Sequence, residues 1–283
     1  MLVLAALQLA MAAPALATEA PAVAPCREPL PAGMRCVPGG PFLRGSDDGP
    51  RDTRPRGTVT LGTFYMDTYE VTVEAYEACV AAGQCEKAKT AYSDFSRPRQ
   101  PKVGITWFHA DRFCRAQGKH LPTEAEWEKA ARGTDGRTYP WGNEPATCER
   151  AIIMNEQGQR SCGVKKQGGE PDKGRTFEVG SRPPNPYGLY DMAGNAWEWV
   201  ADWYSRSWAD CGAACAGIDP RGPCGGKARC KGTTEKVVRG GSWYWPASYA
   251  TTYYRRPHNP ANKPYHHFGF RCAASPDEAE KLR

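Results

Sequence analysis

An α+β fold is predicted, and three features predict it. Thirty Gly and twenty-five Pro scattered through 283 residues interrupt the chain so often that only short regular elements fit between loops. Runs with the β-rich composition and Gly breaks of strands and turns lie among a few stretches that carry helix start and stop signals. The 40 % hydrophobic and 11 % aromatic content fills a substantial core, and no internal repeat or change of composition marks a second one. One loop-rich domain over residues 35–275 is therefore expected.

At the amino terminus, "MLVLAALQLAMAAPALATEA" is an apolar stretch without a basic leader that ends in the small-x-small pattern Ala15-Leu16-Ala17. It reads as a secretory signal over residues 1–17, too short and too Pro-interrupted to span a membrane. Residues 18–34 read as an Ala/Pro-rich linker, and Pro25 ahead of Cys26 argues against lipid attachment there. Strands are expected in "FLRGS", "GTVTLGTFYMDTYEVT" and "KVVRGGSW". Thr72 caps a helix over residues 73–82 that Gly83 stops, and Thr106 opens another that ends by Gly118. In "LPTEAEWEKAARG", Thr123 and Glu126 form a capping box, Trp127, Ala130 and Ala131 share one side, and Gly133 ends the helix. Residues 276–283 are left as a C-terminal tail.

Twelve cysteines, all beyond the signal, fit an oxidising compartment and hence a periplasmic or secreted protein. Local staples are expected for Cys79–Cys85 and Cys148–Cys162, while Cys211, Cys215, Cys224 and Cys230 crowd a Gly-rich insertion. That insertion has no C-x-x-C pair and no His partner, so disulfides are expected there rather than a metal site. Spacing does not fix the pairing of those four, nor of Cys26 and Cys36. The net charge of +6 is spread without a basic block and gives no case for nucleic acid.

Residues 187–204, "YGLYDMAGNAWEWVADWY", concentrate large rings and acids. If the end of this run is extended, period two sends Trp197, Trp199, Ala201 and Trp203 to one face and Glu198, Val200 and Asp202 to the other. Such rings ordinarily fill a core. Asp191 and Glu198 flank a Gly194-Asn195 turn whose carbonyls, from Gly194 and Ala196, supply the oxygens a calcium ion requires. Spacing alone is better explained by a solvated or salt-bridged pair of acids.

The segments "VPGGPFLRGS", "FYMDTYEVTVEAYEACV", "PKVGITWFHADRFCRAQGKHLPTEAEWEKAARG", "YPWGNE", "YGLYDMAGNAWEWVADWY", "VVRGGSW" and "FGFRCA" resemble, in order, the formylglycine-generating enzyme (sulfatase-modifying factor) domain family. The resemblance covers nearly the whole mature chain and implies that family's C-type-lectin-like fold. It also implies a calcium site formed by Asp191, Gly194, Ala196 and Glu198, and a disulfide between Cys114 and Cys272. The family's second calcium site does not map onto the divergent stretch of residues 148–181.

Catalysts of that family oxidise a sulfatase cysteine to formylglycine with oxygen and a copper(I) ion held by two cysteine thiolates, the soft ligands that Cu(I) requires. Their cysteines fall where this chain has Trp245 and Ala250, although Ser242 and Tyr249 match. Copper is therefore not expected. The resemblance then implies a calcium-stabilised binding or scaffolding module. Its cleft would use Ser242, Trp243, Trp245, Tyr249 and Arg255 for a protein or peptide ligand, or for a glycan. The alternatives are sulfatase-type oxidation of cysteine, and another periplasmic metal-dependent oxidation hinted at by His258, His266 and His267. Those histidines are expected on the surface, His109 and His120, on or beside the two helices, are expected as surface or satisfied polar groups, and no carboxylate spacing completes a facial triad. Glu124, Glu126 and Glu128 read as helix N-terminal charges that favour the macrodipole.

Overall fold

The computed structural model describes residues 23–88, 93–164, 174–261 and 266–283. The signal expected over residues 1–17 lies outside them. The chain lays down four strands, β1 (Met34–Val37), β2 (Gly40–Arg44), β3 (Gly57–Leu61) and β4 (Phe64–Asp67), before three helices. These are α1 (Val73–Ala81), α2 (Trp107–Ala116) and α3 (Glu124–Arg132). A long loop leads to β5 (Trp197–Trp203), α4 (Trp208–Cys211), β6 (Gly217–Ile218) and β7 (Lys236–Arg239). The chain closes with β8 (Arg256–His258), β9 (Phe268–Gly269), β10 (Ala273–Ala274) and α5 (Pro276–Lys281). The α+β expectation holds.

The strands form three small sheets, ordered β1-β4-β10, β2-β3-β6 and β8-β7-β5-β9. In the third, β5 runs antiparallel to β7 and parallel to β9. Period two operates along β5: Trp197 and Trp199 join Trp107, Phe113 and Phe268 in one core cluster, while Val200 joins Trp127, Met192 and Val237 in another. Rings of this kind bury about 150–250 Å² each, so β5 welds two halves of the core together.

The helix signals act as expected. Thr72 accepts a hydrogen bond from the Ala75 N–H, and α1 gives way to Gly83 at φ +72°. Thr123 and Glu126 complete a reciprocal capping box on α3, and in α2 the Nδ1 of His109 accepts from the Thr106 N–H.

The segments flanking the domain are, among the described residues, more structured than composition suggested. Residues 276–283 are not a free tail: Ser275 and Glu278 form a capping box, and α5 buries Ala279 against Met34, Tyr65 and Ala274. Part of the expected linker is tied down as well, because Leu30 packs on that cluster and Cys26 bonds Cys36. Cys79–Cys85, Cys148–Cys162 and Cys114–Cys272 are joined, the last across a sequence separation of 158 residues. The insertion carries Cys211–Cys215 and Cys224–Cys230, and no cysteine remains free.

Candidate functional site

The "RGGS" run after β7 is a tight reversal. Gly240 and Gly241 take φ of +92° and +77°, and a Cβ on Gly241 would lie 2.9 Å from the Cα of Ala250. Only glycine allows the chain to pass so close to itself. The reversal drives Ser242 and Trp243 fully into the core, with Trp243 packed against Phe95, Val103, Ile152 and Ala196. Those two expected cleft residues are therefore interior ones, because the reversal turns their side chains inward.

Beyond them the backbone returns towards solvent and sets out a run of half-buried rings. Trp245 stacks on Tyr249 with centroids 4.9 Å apart, and Tyr249 meets Tyr254 at 4.8 Å. The Arg256 guanidinium sits 4.9 Å from the Trp245 ring, and that of Arg160 lies 3.7 Å from Tyr244. Ala250 is buried with Ala151, Ile153 and Ala193. An indole and a methyl group thus stand at the two positions where the resemblance places thiolates. All twelve cysteines are committed to disulfides.

The run of rings ends at a cleft of about 1140 Å³ lined by Tyr204, Tyr254, Arg255, Arg51, Asp52 and Arg206, among others. Arg255 forms part of its wall without presenting a free charge. It is 2 % exposed and grips Glu124 through Nε and Nη2 at 2.7 and 2.9 Å, while Nη1 donates to the carbonyls of Asp52 and Ser205. Its bidentate pairing fixes the adjoining Tyr254 and the loop at Ser205 rather than offering a free guanidinium. The reading of Glu124 and Glu128 as simple helix-end charges is corrected by the same network. Arg239 pairs with Glu128 at 2.6 Å and Arg132 pairs with it at 2.7 Å, all fully or almost fully buried.

The expected calcium ligands meet a different environment. Arg271 clamps Glu198 bidentately at 2.7 Å for each bond, and Trp127 Nε1 donates to the same carboxylate at 2.8 Å. Glu198 thus has the Arg271 guanidinium as its charge partner. Asp191, in the left-handed region at φ +56°, accepts from the Gly180 N–H at 2.7 Å. Burial pushes its carboxyl up to about 6. Asn195 bridges the turn to Glu70 at 2.6 Å, and burial, with Asp191 and Glu198 nearby, pushes Glu70 well above the usual carboxylate range. Three acids therefore lie around the Arg271 guanidinium, with Arg182 also acting on Asp191, and Glu70 is the member that sequence reasoning missed. Among the described residues no group of three or more His, Cys, Asp or Glu side chains converges on a metal position.

The histidines near β8 and β9 are not solvent-facing either. His258 packs on Phe268 with centroids 4.4 Å apart, and His267 packs on the same ring at 4.7 Å. Burial, with Arg256 close by, pushes their imidazoles down to about 4 and about 3. His120 joins α3 to α5 through Glu126 and Glu278, and those carboxylates hold it up at about 10 despite its burial.

The chain matches the family model described as "Sulfatase-modifying factor enzyme 1-like domain" over residues 20–276. It is 35 % identical over 301 residues to a formylglycine-generating enzyme of Thermomonospora curvata, covering 86 % of this chain and 94 % of that one. It is 30 % identical over 290 residues to a Mus musculus protein named "Inactive C-alpha-formylglycine-generating enzyme 2", covering 84 % of each. The solved structure of PvdO from Pseudomonas aeruginosa is similar with a TM-score of 0.64 at 25 % identity, covering 85 % of this chain and 93 % of that one.

Proposed function

The chain belongs to the sulfatase-modifying factor enzyme 1-like family, and from that premise we propose that it is an exported binding module whose copper chemistry has been replaced by a ligand cleft. One observation carries the reading: Trp245 and Ala250 occupy the positions of the copper thiolates, and every cysteine is already consumed in a disulfide. Soft Cu(I) has no soft ligand left to take. The inactive mouse relative supports the reading to the extent of its printed name.

The cleft beside Tyr204 and Tyr254 is the seat proposed for a protein or peptide ligand, since half-buried tyrosines combine a large contact area with a polar tip. Export rests on the six disulfides. No helix of the described residues is long and apolar enough to cross a membrane.

Copper bound per chain after loading with Cu(I), measured by elemental analysis, is the test. None should be retained by the wild type, whereas stoichiometric copper would overturn the reading. A calcium ion at the 191–198 turn is part of the same proposal. It takes Asp191, the carbonyls of Gly194 and Ala196, and Glu198 as ligands, and is supported by the cluster of acids around Arg271. Chelation should lower the melting temperature of wild type but not of Asp191→Ala; an unchanged wild type would remove calcium from the account.

A further inference from the structure

Residues 221–231, "RGPCGGKARCK", hold four basic side chains and no acid. Acids elsewhere in the chain mask this in the overall charge. What gathers the charge is covalent, because Cys224–Cys230 closes the run into a ring. Its base is tied to the core where Trp203 Nε1 and Lys236 Nζ both donate to the Lys227 carbonyl, at 2.6 and 3.2 Å. Arg221, Lys227, Arg229 and Lys231 are all exposed. No acid among the described residues forms an ion pair with any of them. Like charges repel over a Debye length of about 10 Å, so basic side chains gathered on one stapled run gain from an acidic partner.

The residues that flank the ring line the cleft, Pro223 on one side and Gly232 and Thr233 on the other, together with Tyr204 and Tyr254, so the ring stands at its edge. We propose that the cleft and this basic rim take an acidic segment of a partner protein, an inference that rests on the cleft-binding reading above. The rim supplies the charge complementarity that steers and orients such a segment. The tyrosines supply the contact area for its neutral residues. A uniform polyanion fits less well, because the lining alternates in sign, with Asp52 and Asp210 among Arg51 and Arg206, and its tyrosines offer contact area that a chain of uniform negative charge does not use. A flat bilayer cannot reach the floor of a cleft. A peptide satisfies both signs by placing its acids on the rim alone.

The experiment is selection of a random linear peptide library against the purified full chain and against two variants, Lys227→Glu/Arg229→Glu/Lys231→Glu and Tyr254→Ala. Wild type should enrich peptides with clustered Asp and Glu. Their affinity should fall at least about tenfold in the triple variant and in salt near about 1 M, where the Debye length is about 3 Å. Because the three rim residues are exposed, that variant should keep the wild-type melting temperature. Enriched peptides with no acidic bias, lost only in Tyr254→Ala, would overturn the acidic partner while leaving the cleft reading intact. Enrichment of nothing would overturn both. Heparin or phosphatidylserine vesicles bound through the three basic residues, with no acidic peptide selected, would likewise overturn the acidic peptide as occupant.

Discussion

Helix α3 and the insertion over residues 205–232 are held in place by opposite means. Four of the nine residues of α3 are charged and almost wholly buried: Glu124, Glu128, Lys129 and Arg132. They survive burial because Arg239, Arg255 and backbone carbonyls satisfy them. The insertion contributes little to the core. Ile218 is 53 % exposed, and the segment is pinned by two short disulfides and by Trp208, whose ring lies between the guanidiniums of Arg44 at 3.9 Å and Arg255 at 3.8 Å. The comparison separates two tasks. The charged interior around α3 specifies the fold, whereas the stapled insertion adds a rim to the cleft without being needed to close the core.

That contrast can be broken at several points, beginning with the largest effect. Replacing Cys114 and Cys272 by Ser removes a cross-link over a separation of 158 residues. Chain entropy makes such a link worth about 5 kcal/mol, so the denaturant midpoint should fall sharply. Arg271→Ala should cost about 3–5 kcal/mol, because it strands Glu198 beside Glu70 and Asp191 in the interior. Replacing Cys224 and Cys230 by Ser opens a separation of only 6 residues and should cost about 2 kcal/mol at most. A loss as large as that for Cys114–Cys272 would mean that the insertion belongs to the cooperative core after all.

A pH-dependent difference sharpens the comparison where the two regions meet. Asp202 accepts from the N–H of Glu124 at 2.7 Å, and burial, with Glu124 next to it, pushes its carboxyl up to about 7 against the opposing pull of Lys236 and Arg255. The folded state holds this proton more tightly than the unfolded one. Its stabilising contribution is therefore complete below the ordinary value of about 3.9 and is lost as pH rises through about 7. Wild type should gain stability relative to Asp202→Asn between pH 8 and pH 5 in paired thermal melts. His258, pushed down to about 4, acts in the opposite sense within wild type, since its contribution is lost as pH falls below about 6.5. Using the difference between the two proteins cancels that term.

Local chemistry was legible in the sequence, and long-range pairing was not. Thr72, Thr106 and Thr123 sit where their caps require, and the alternation along Trp197–Trp203 separates two core clusters. Helix α5 also carried a visible signal, the Ser275–Glu278 capping box behind Pro276, that its short length concealed. The partners of Glu124, Glu128 and Glu198 were not legible, because a charged residue on a helix or strand carries no mark of the arginine that folding brings to it from more than a hundred positions away in the cases of Arg239 and Arg255. For the same reason Glu70 escaped notice beside the 191–198 turn. The cleft was half legible: the run from Trp245 to Tyr254 announced an aromatic surface. Ser242 and Trp243 entered the core because the Gly240-Gly241 reversal turns them inward.

The central proposal is that an indole and a methyl group stand in place of the copper thiolates. Its most direct test is to incubate the purified chain with copper, oxygen and a sulfatase-type cysteine peptide and to follow the peptide by mass spectrometry. The account predicts an unchanged cysteine. Conversion of that cysteine to the aldehyde would contradict it.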